Sequence, residues 1–225
     1  MHQTLRWHTV GVEQNLQVLR DGLFETRASL QSGKHHAIEK MGHWISSLDI
    51  IIEQMAAVGA EVRPRVETDL GYGIRNHEMF AMIFFQPSTR NLFSEVAVHF
   101  NDGSCSLSQE KLTELASLPD AAETLAWIGD AALKIGVLRE IWSPRPADAG
   151  KLSERRKEYE SNANMARLAD RWGLYEHRIQ FDPHVRKKTT EIEHIKGTLV
   201  EGVFGIVFLQ GGLEGVASAA TFLRP

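Results

Sequence analysis

ETLAWIGDAALKIG, residues 123–136, places apolar or small side chains on nearly every side of a helix and one carboxylate, Asp130, at its centre. The aspartate follows directly on Gly129. A lone charge in an apolar setting costs several kcal/mol unless it is paired, protonated or bound to a metal. A second segment has the same texture: KGTLVEGVFGIVFLQGG, residues 196–212, is an apolar helix with one acid, Glu201, near its first turns. Its Gly211-Gly212 suits a helix stop. Two apolar helices with one acid each imply that the acids face each other. Two carboxylates in one apolar site repel unless a cation lies between them, which points to Mg²⁺ or Mn²⁺ held by Asp130 and Glu201. Glu123 stands seven residues before Asp130 and so shares its helix face. Each acid also has a local explanation. Asp130 is four residues before Lys134, an ion-pair spacing, and Glu201 lies where an acid complements a helix dipole.

Outward from these helices, the chain divides by texture. Residues 12–31 and 34–59 have helical periodicity, with Met41, Trp44, Ile45, Leu48, Ile51 and Ile52 recurring on one face. The period then changes. EVRPRVET (61–68), EMFAMIFF (78–85) and LFSEVAVHF (92–100) have the β-branched and aromatic content of strands, and QPSTRN between the last two has hairpin-turn length. NDGSCSLSQ (101–109) is a turn-rich boundary, and from about residue 108 onward the pattern is helical. His35, His36 and His43 fall in one helical stretch, but metal-binding helices use a four-residue spacing with an acid beside it, so surface histidines are expected.

The 225 residues carry a net charge of −4, which gives no general affinity for nucleic acid or anionic membrane. The distribution is uneven: residues 134–188 hold 13 basic and 8 acidic side chains. Lys151 and Arg155 share a helix face, Arg156 and Lys157 lie beside them, and Arg186, Lys187 and Lys188 form a second cluster. Charge gathered on a surface is what grips the phosphates of duplex RNA. The alternative is a solvated face interlaced with Glu154, Glu158 and Glu160. The single cysteine, Cys105, excludes an internal disulfide and fits a reducing compartment. The first residues lack the apolar core of a signal peptide. The longest apolar stretch, 197–209, is shorter than a bilayer span. A cytoplasmic location is expected.

FFQPSTRN (84–91) resembles the phosphate-gripping Ser-Thr-Arg loop of the aspartate and ornithine carbamoyltransferases, but the match ends at Asn91-Leu92 and a turn is the better account. A broader resemblance covers about 108–225. Glu123 with GDAAL (129–133), YESNANMARLADRWGL (159–174) and VEGVFGIVFLQGG (200–212) resemble, in order and separation, three segments of the ribonuclease III family. The pattern is nearest to Mini-ribonuclease III. The larger members of the family carry further carboxylates where this chain has Ala126, Ala163 and Thr198, and the Mini branch looks like this chain at the first and last of these.

The resemblance implies a mainly α protein. An all-α ribonuclease III-like domain at 108–225 would follow a smaller α+β region of unknown role at 1–107. It further implies a homodimer that hydrolyses structured or double-stranded RNA with Mg²⁺ or Mn²⁺, and Asp130, Glu201 and Glu123 as catalytic residues. A non-catalytic RNA-binding or assembly protein on the same fold is the alternative, favoured by Ala126 and Thr198.

Overall fold

Helix α7, Leu118–Ile141, begins with Pro119 in its first turn, where a missing N–H costs nothing, and with Asp120 beside the positive end of the helix dipole. Along one side it offers Ala122, Ala126, Gly129 and Gly136, all small and all buried. Helix α10, Thr189–Ala219, offers Gly197, Gly202 and Gly205 in return. The pairing is close enough for backbone contact: a β-carbon on Gly205 would stand 2.1 Å from the Leu125 carbonyl oxygen. Glu123 lies level with Thr198, Gly129 with Gly205 and Gly136 with Val216, so the two helices run side by side in the same direction. At Gly212 the backbone turns to φ 61°, ψ −161°, which only glycine adopts without strain, and α10 kinks there before its last turns.

The computed structural model describes residues 11–30, 34–142, 148–181 and 187–224. Around the α7–α10 pair are α1 (Val12–Ser29), α2 (His35–Ala57), α3 (Arg63–Leu70), α4 (His77–Met82), α5 (Thr89–His99), α6 (Gln109–Ala116), α8 (Ala149–Tyr159) and α9 (Asn162–Trp172). A π-helical turn, Val58–Val62, joins α2 to α3, and a 3₁₀ turn, Ala220–Leu223, follows α10. α1 and α2 fall where the periodicity of 12–31 and 34–59 places them.

The three expected strands are helices. Among the described residues there is no β-strand, only an isolated parallel bridge between Phe85 and Ile179. Each correction has its own cause. In 92–100 the buried residues are Leu92, Phe93, Val96 and Phe100, a helical spacing that the aromatic and β-branched content obscures. In 61–68, Pro64 starts α3, and Val62 and Val66 are buried one turn apart. In 78–85, Met79 through Phe85 are all buried, and a short run that is apolar throughout has no period to separate strand from helix. The expected hairpin at QPSTRN is instead the start of α5. Ser88 stands at its N-cap and accepts a hydrogen bond from the Phe181 N–H at 3.1 Å, while buried Thr89 donates to the Gln86 carbonyl at 2.9 Å. Arg90 is engaged with Asp120, which leaves no phosphate-gripping arginine in that loop.

The apolar run at 197–209 also reaches further than expected. With its flanks it forms a helix long and apolar enough to cross a membrane by length and composition alone. Its middle, Leu199, Val200 and Gly202–Val207, is instead buried against protein.

Buried side chains from both halves of the chain form one core, with Trp44, Phe80, Phe84 and Phe93 from the first half and Trp172, Phe204 and Val216 from the second. The halves are also tied by polar contacts: Asp69 accepts from Arg171 at 2.5 Å and from the Trp172 indole at 2.9 Å, and Arg65 donates to the Trp172 carbonyl at 3.0 Å.

Candidate functional site

The closeness of α7 and α10 decides where their acids point. Because Gly129 has no side chain to hold the helices apart, Asp130, the next residue, stands at the edge of the seam beside Glu201. Asp130 is not buried as the apolar sequence around it suggests. It is about half exposed, and its Oδ2 accepts a hydrogen bond from the Lys134 ammonium at 2.6 Å. The i, i+4 ion pair anticipated as the local explanation is therefore present, together with the facing acid.

Glu201 has the more strained electrostatics. Burial first, and then the negative charge of Asp130, push its carboxyl up to about 7, against a smaller opposing pull from Lys134. Glu160, between α8 and α9, belongs to the same group of charges. Burial raises its carboxyl and Asp130 adds to the rise, while Arg156 and Lys134 oppose it. Its Oε2 lies 3.4 Å from the Arg156 Nε, and its Oε1 is buried without a hydrogen-bond partner. Asp130, Lys134, Arg156, Glu160 and Glu201 thus form one cluster, with three acids against two bases.

Among the described residues no group of three or more His, Cys, Asp or Glu side chains is arranged to enclose a metal ion. Mg²⁺ does not require one, since it commonly takes one or two carboxylates from a protein and completes its shell with water and phosphate. A carboxyl pushed up by burial and then by a neighbouring acid, and a buried carboxylate oxygen without a partner, mark a site with room for further positive charge. The residues fit a divalent cation held by Asp130 and Glu201.

Glu123 stands apart from this cluster. It is exposed, and with Thr198, His194, Pro119, Gln86 and Pro87 it lines a cavity of about 270 Å³ further along the seam. Gln86 and Pro87 come from the first half of the chain, which therefore forms one wall beside the candidate site. Ala126 is buried in the seam and Ala163 lies in the first turn of α9. His35, His36 and His43 are exposed.

Of the expected RNA-binding residues, Lys151, Arg155 and Lys157 are exposed on α8, and Arg156 on the same helix turns toward Glu160. Lys187 and Lys188 precede α10, where the Lys188 N–H donates to Glu191 at 2.9 Å. Arg186 lies outside the described residues. Sequence reasoning missed Glu160 as a member of the site. The only available signal was its place just before Ser161, which caps α9 and fixes the backbone there.

On the solvent-facing side of α7, Trp127, Ile135, Leu138 and Trp142 form an exposed apolar stripe at helical spacing, continued by Leu213 of α10. Trp127 is 73% and Trp142 63% exposed. Shallow grooves lie along it, one lined by Trp127, Ile128, Ala131 and Phe208.

In the comparison with protein families, residues 123–212 match the Ribonuclease III domain. These residues include most of the seam, both facing acids, Lys134, Glu160 and Glu123. No curated protein and no solved structure matches the chain.

Proposed function

From a chain whose residues 123–212 match the Ribonuclease III domain, we propose a divalent-metal-dependent endoribonuclease that cleaves structured or double-stranded RNA by phosphodiester hydrolysis. The observation that carries this reading is the facing pair Asp130 and Glu201, with the Glu201 carboxyl pushed up to about 7 by burial and by the charge of Asp130. Asp130 and Glu201 would hold the cation. A divalent ion there supplies a bound water of lowered pKa and charge stabilisation at the scissile phosphate. Burial of Glu201 among apolar neighbours strengthens every charge interaction in the site. Ala126 and Thr198 limit the protein's ligands to two, which leaves coordination positions for water and RNA, in keeping with the Mini-ribonuclease III pattern. Exposed Lys151, Arg155 and Lys157 on α8, with Lys187 and Lys188, would grip RNA phosphates next to the acids.

The apolar stripe from Trp127 to Trp142 supports a homodimer. Two large aromatic side chains and three aliphatic ones on one face of the helix pair are an interface composition rather than a solvated one. A cytoplasmic location belongs to the same proposal.

One observation favours the non-catalytic alternative: the acid that would hold the cation is already neutralised by Lys134 at 2.6 Å. Incubating the purified protein with duplex RNA and Mg²⁺, beside its Asp130→Asn variant, separates the two. Cleavage by the wild type alone supports the enzyme. RNA binding without cleavage, at any Mg²⁺ or Mn²⁺ concentration, supports the binding protein.

A further inference from the structure

We propose that Lys134 is a tethered cation that holds Asp130 in the metal-free protein and transfers to Glu160 when a divalent ion takes the Asp130–Glu201 pair. The inference rests on the metal-dependent reading above and adds to it a residue that competes for the site.

Lys134 and a divalent ion need the same carboxylate. The ammonium sits 2.6 Å from Asp130 Oδ2, and two cations on one carboxylate repel. It is also free to leave, being 45% exposed on a four-carbon stem. Among the described residues, the charges that act on it come from the cluster already described: Asp130 one turn before it, Arg156 on α8, Glu160 after α8, and Glu201 on α10.

Glu160 has the vacancy that a displaced ammonium would fill. One of its oxygens lies 3.4 Å from Arg156, and the other is buried with no hydrogen-bond partner, a costly arrangement for a carboxylate. An ammonium has three donors and can bridge to that oxygen. Lys134 would then stay beside the seam, where its charge faces an incoming phosphate. Glu160 is a positioning residue in this scheme, not a metal ligand.

The test is Mn²⁺ affinity, measured by calorimetry on the full chain without RNA, for wild type, Lys134→Met, Glu160→Gln and the double variant, each checked for unaltered helix content. Removing the competitor tightens Mn²⁺ binding by up to about fivefold, the worth of one half-exposed ion pair. Glu160→Gln weakens binding in the wild-type background, because the displaced lysine no longer meets a charged acceptor. Most of that loss disappears in the Lys134→Met background. Unchanged affinity in Lys134→Met overturns the competition. An equal loss from Glu160→Gln in both backgrounds makes Glu160 itself a ligand and overturns the transfer. If neither wild type nor Lys134→Met binds Mn²⁺ at millimolar concentration, the metal-dependent reading fails, and this inference with it.

Discussion

A β-carbon on Gly129 would lie 1.8 Å from the carbonyl oxygen of Glu201, so the helix carrying one acid touches the backbone of the helix carrying the other. Nothing flexible stands at that contact, since the opposing atom is main chain. Gly129→Ala must therefore push α7 and α10 apart. It is expected to destabilise the protein by about 3 kcal/mol or more, the upper range of overpacking. Gly59, with open space around its missing β-carbon, is the control, and Gly59→Ala should be neutral or slightly stabilising. Urea midpoints of the two variants check this. A loss below about 1 kcal/mol for Gly129→Ala would mean that the helices part freely and that the seam does not set the site.

The elevated carboxyl of Glu201 makes stability depend on pH. The folded protein keeps the Glu201 proton up to about pH 7, whereas the unfolded chain releases it near 4.5. The folded state therefore binds more protons over this interval, and stability falls as pH rises from about 4.5 to about 7, then levels off. Glu160, also raised by burial, acts in the same direction. Thermal midpoints should be lower at pH 8 than at pH 5.5, and Glu201→Gln should remove most of the difference. Mg²⁺ should restore the midpoint at pH 8 and do little at pH 5.5, because it favours the ionised carboxylate. Equal Mg²⁺ effects at both pH values would place the ion elsewhere.

The legible part of this chain was its second half, because chemistry there is local in sequence. Asp130 after Gly129, and Glu201 between Val200 and Gly202, stand out from the amino-acid order alone as acids in apolar helices. The exposure of Asp130 was not legible. An apolar segment can be apolar because it is buried or because it forms an interface, and α7 does both, with Gly129 in the core and Trp127 in solvent. The strand expected at 78–85 failed because Met79 through Phe85 are all buried, which erases periodicity. Glu160 was hidden for a different reason. It is remote from Asp130 in sequence, and only the packing of α8 on α7 and of α9 on α10 brings it near.

Asp130→Asn tests how much the Lys134 pair contributes to the fold. Both partners are close to half exposed, so the pair is worth up to about 1 kcal/mol. The same substitution relieves the repulsion that raises Glu201, which offsets the loss. The variant should melt within a few degrees of wild type in metal-free buffer, and Mg²⁺ should stabilise it less. A far lower melt, unaffected by Mg²⁺ in either protein, would make Asp130 a structural residue.

The stripe on α7 predicts the oligomeric state. Trp127→Glu and Trp142→Glu place charges where a second copy would bury indole rings, and together they should convert a dimer to a soluble monomer. Neither side chain belongs to the core, so the fold should remain. Sedimentation at micromolar concentration reads the outcome. A monomeric wild type would remove the dimer, and a dimeric double variant would move its interface away from α7.

RNA affinity should depend on the exposed charges of α8 and should fall steeply with salt. Each phosphate neutralised by a lysine or arginine releases counterions, so the logarithm of the binding constant declines with the logarithm of salt concentration in proportion to the number of phosphates neutralised. Lys151 and Arg155 are one turn apart, both are exposed, and neither takes part in an ion pair among the described residues. Arg156 differs, because it lies 3.4 Å from Glu160 and belongs partly to the acid cluster. Lys151→Glu with Arg155→Glu should therefore weaken duplex binding and reduce the salt slope by about one for each phosphate no longer neutralised, while leaving stability nearly unchanged. Arg156→Glu should weaken binding too, but it should also destabilise the protein, because it leaves Glu160 facing a second acid without its guanidinium. Filter-binding titrations at several salt concentrations, beside melts of the same variants, distinguish these effects. If the Lys151/Arg155 variant keeps both affinity and slope, RNA is not held by α8, and the gripping surface has to be sought at Lys187 and Lys188 instead.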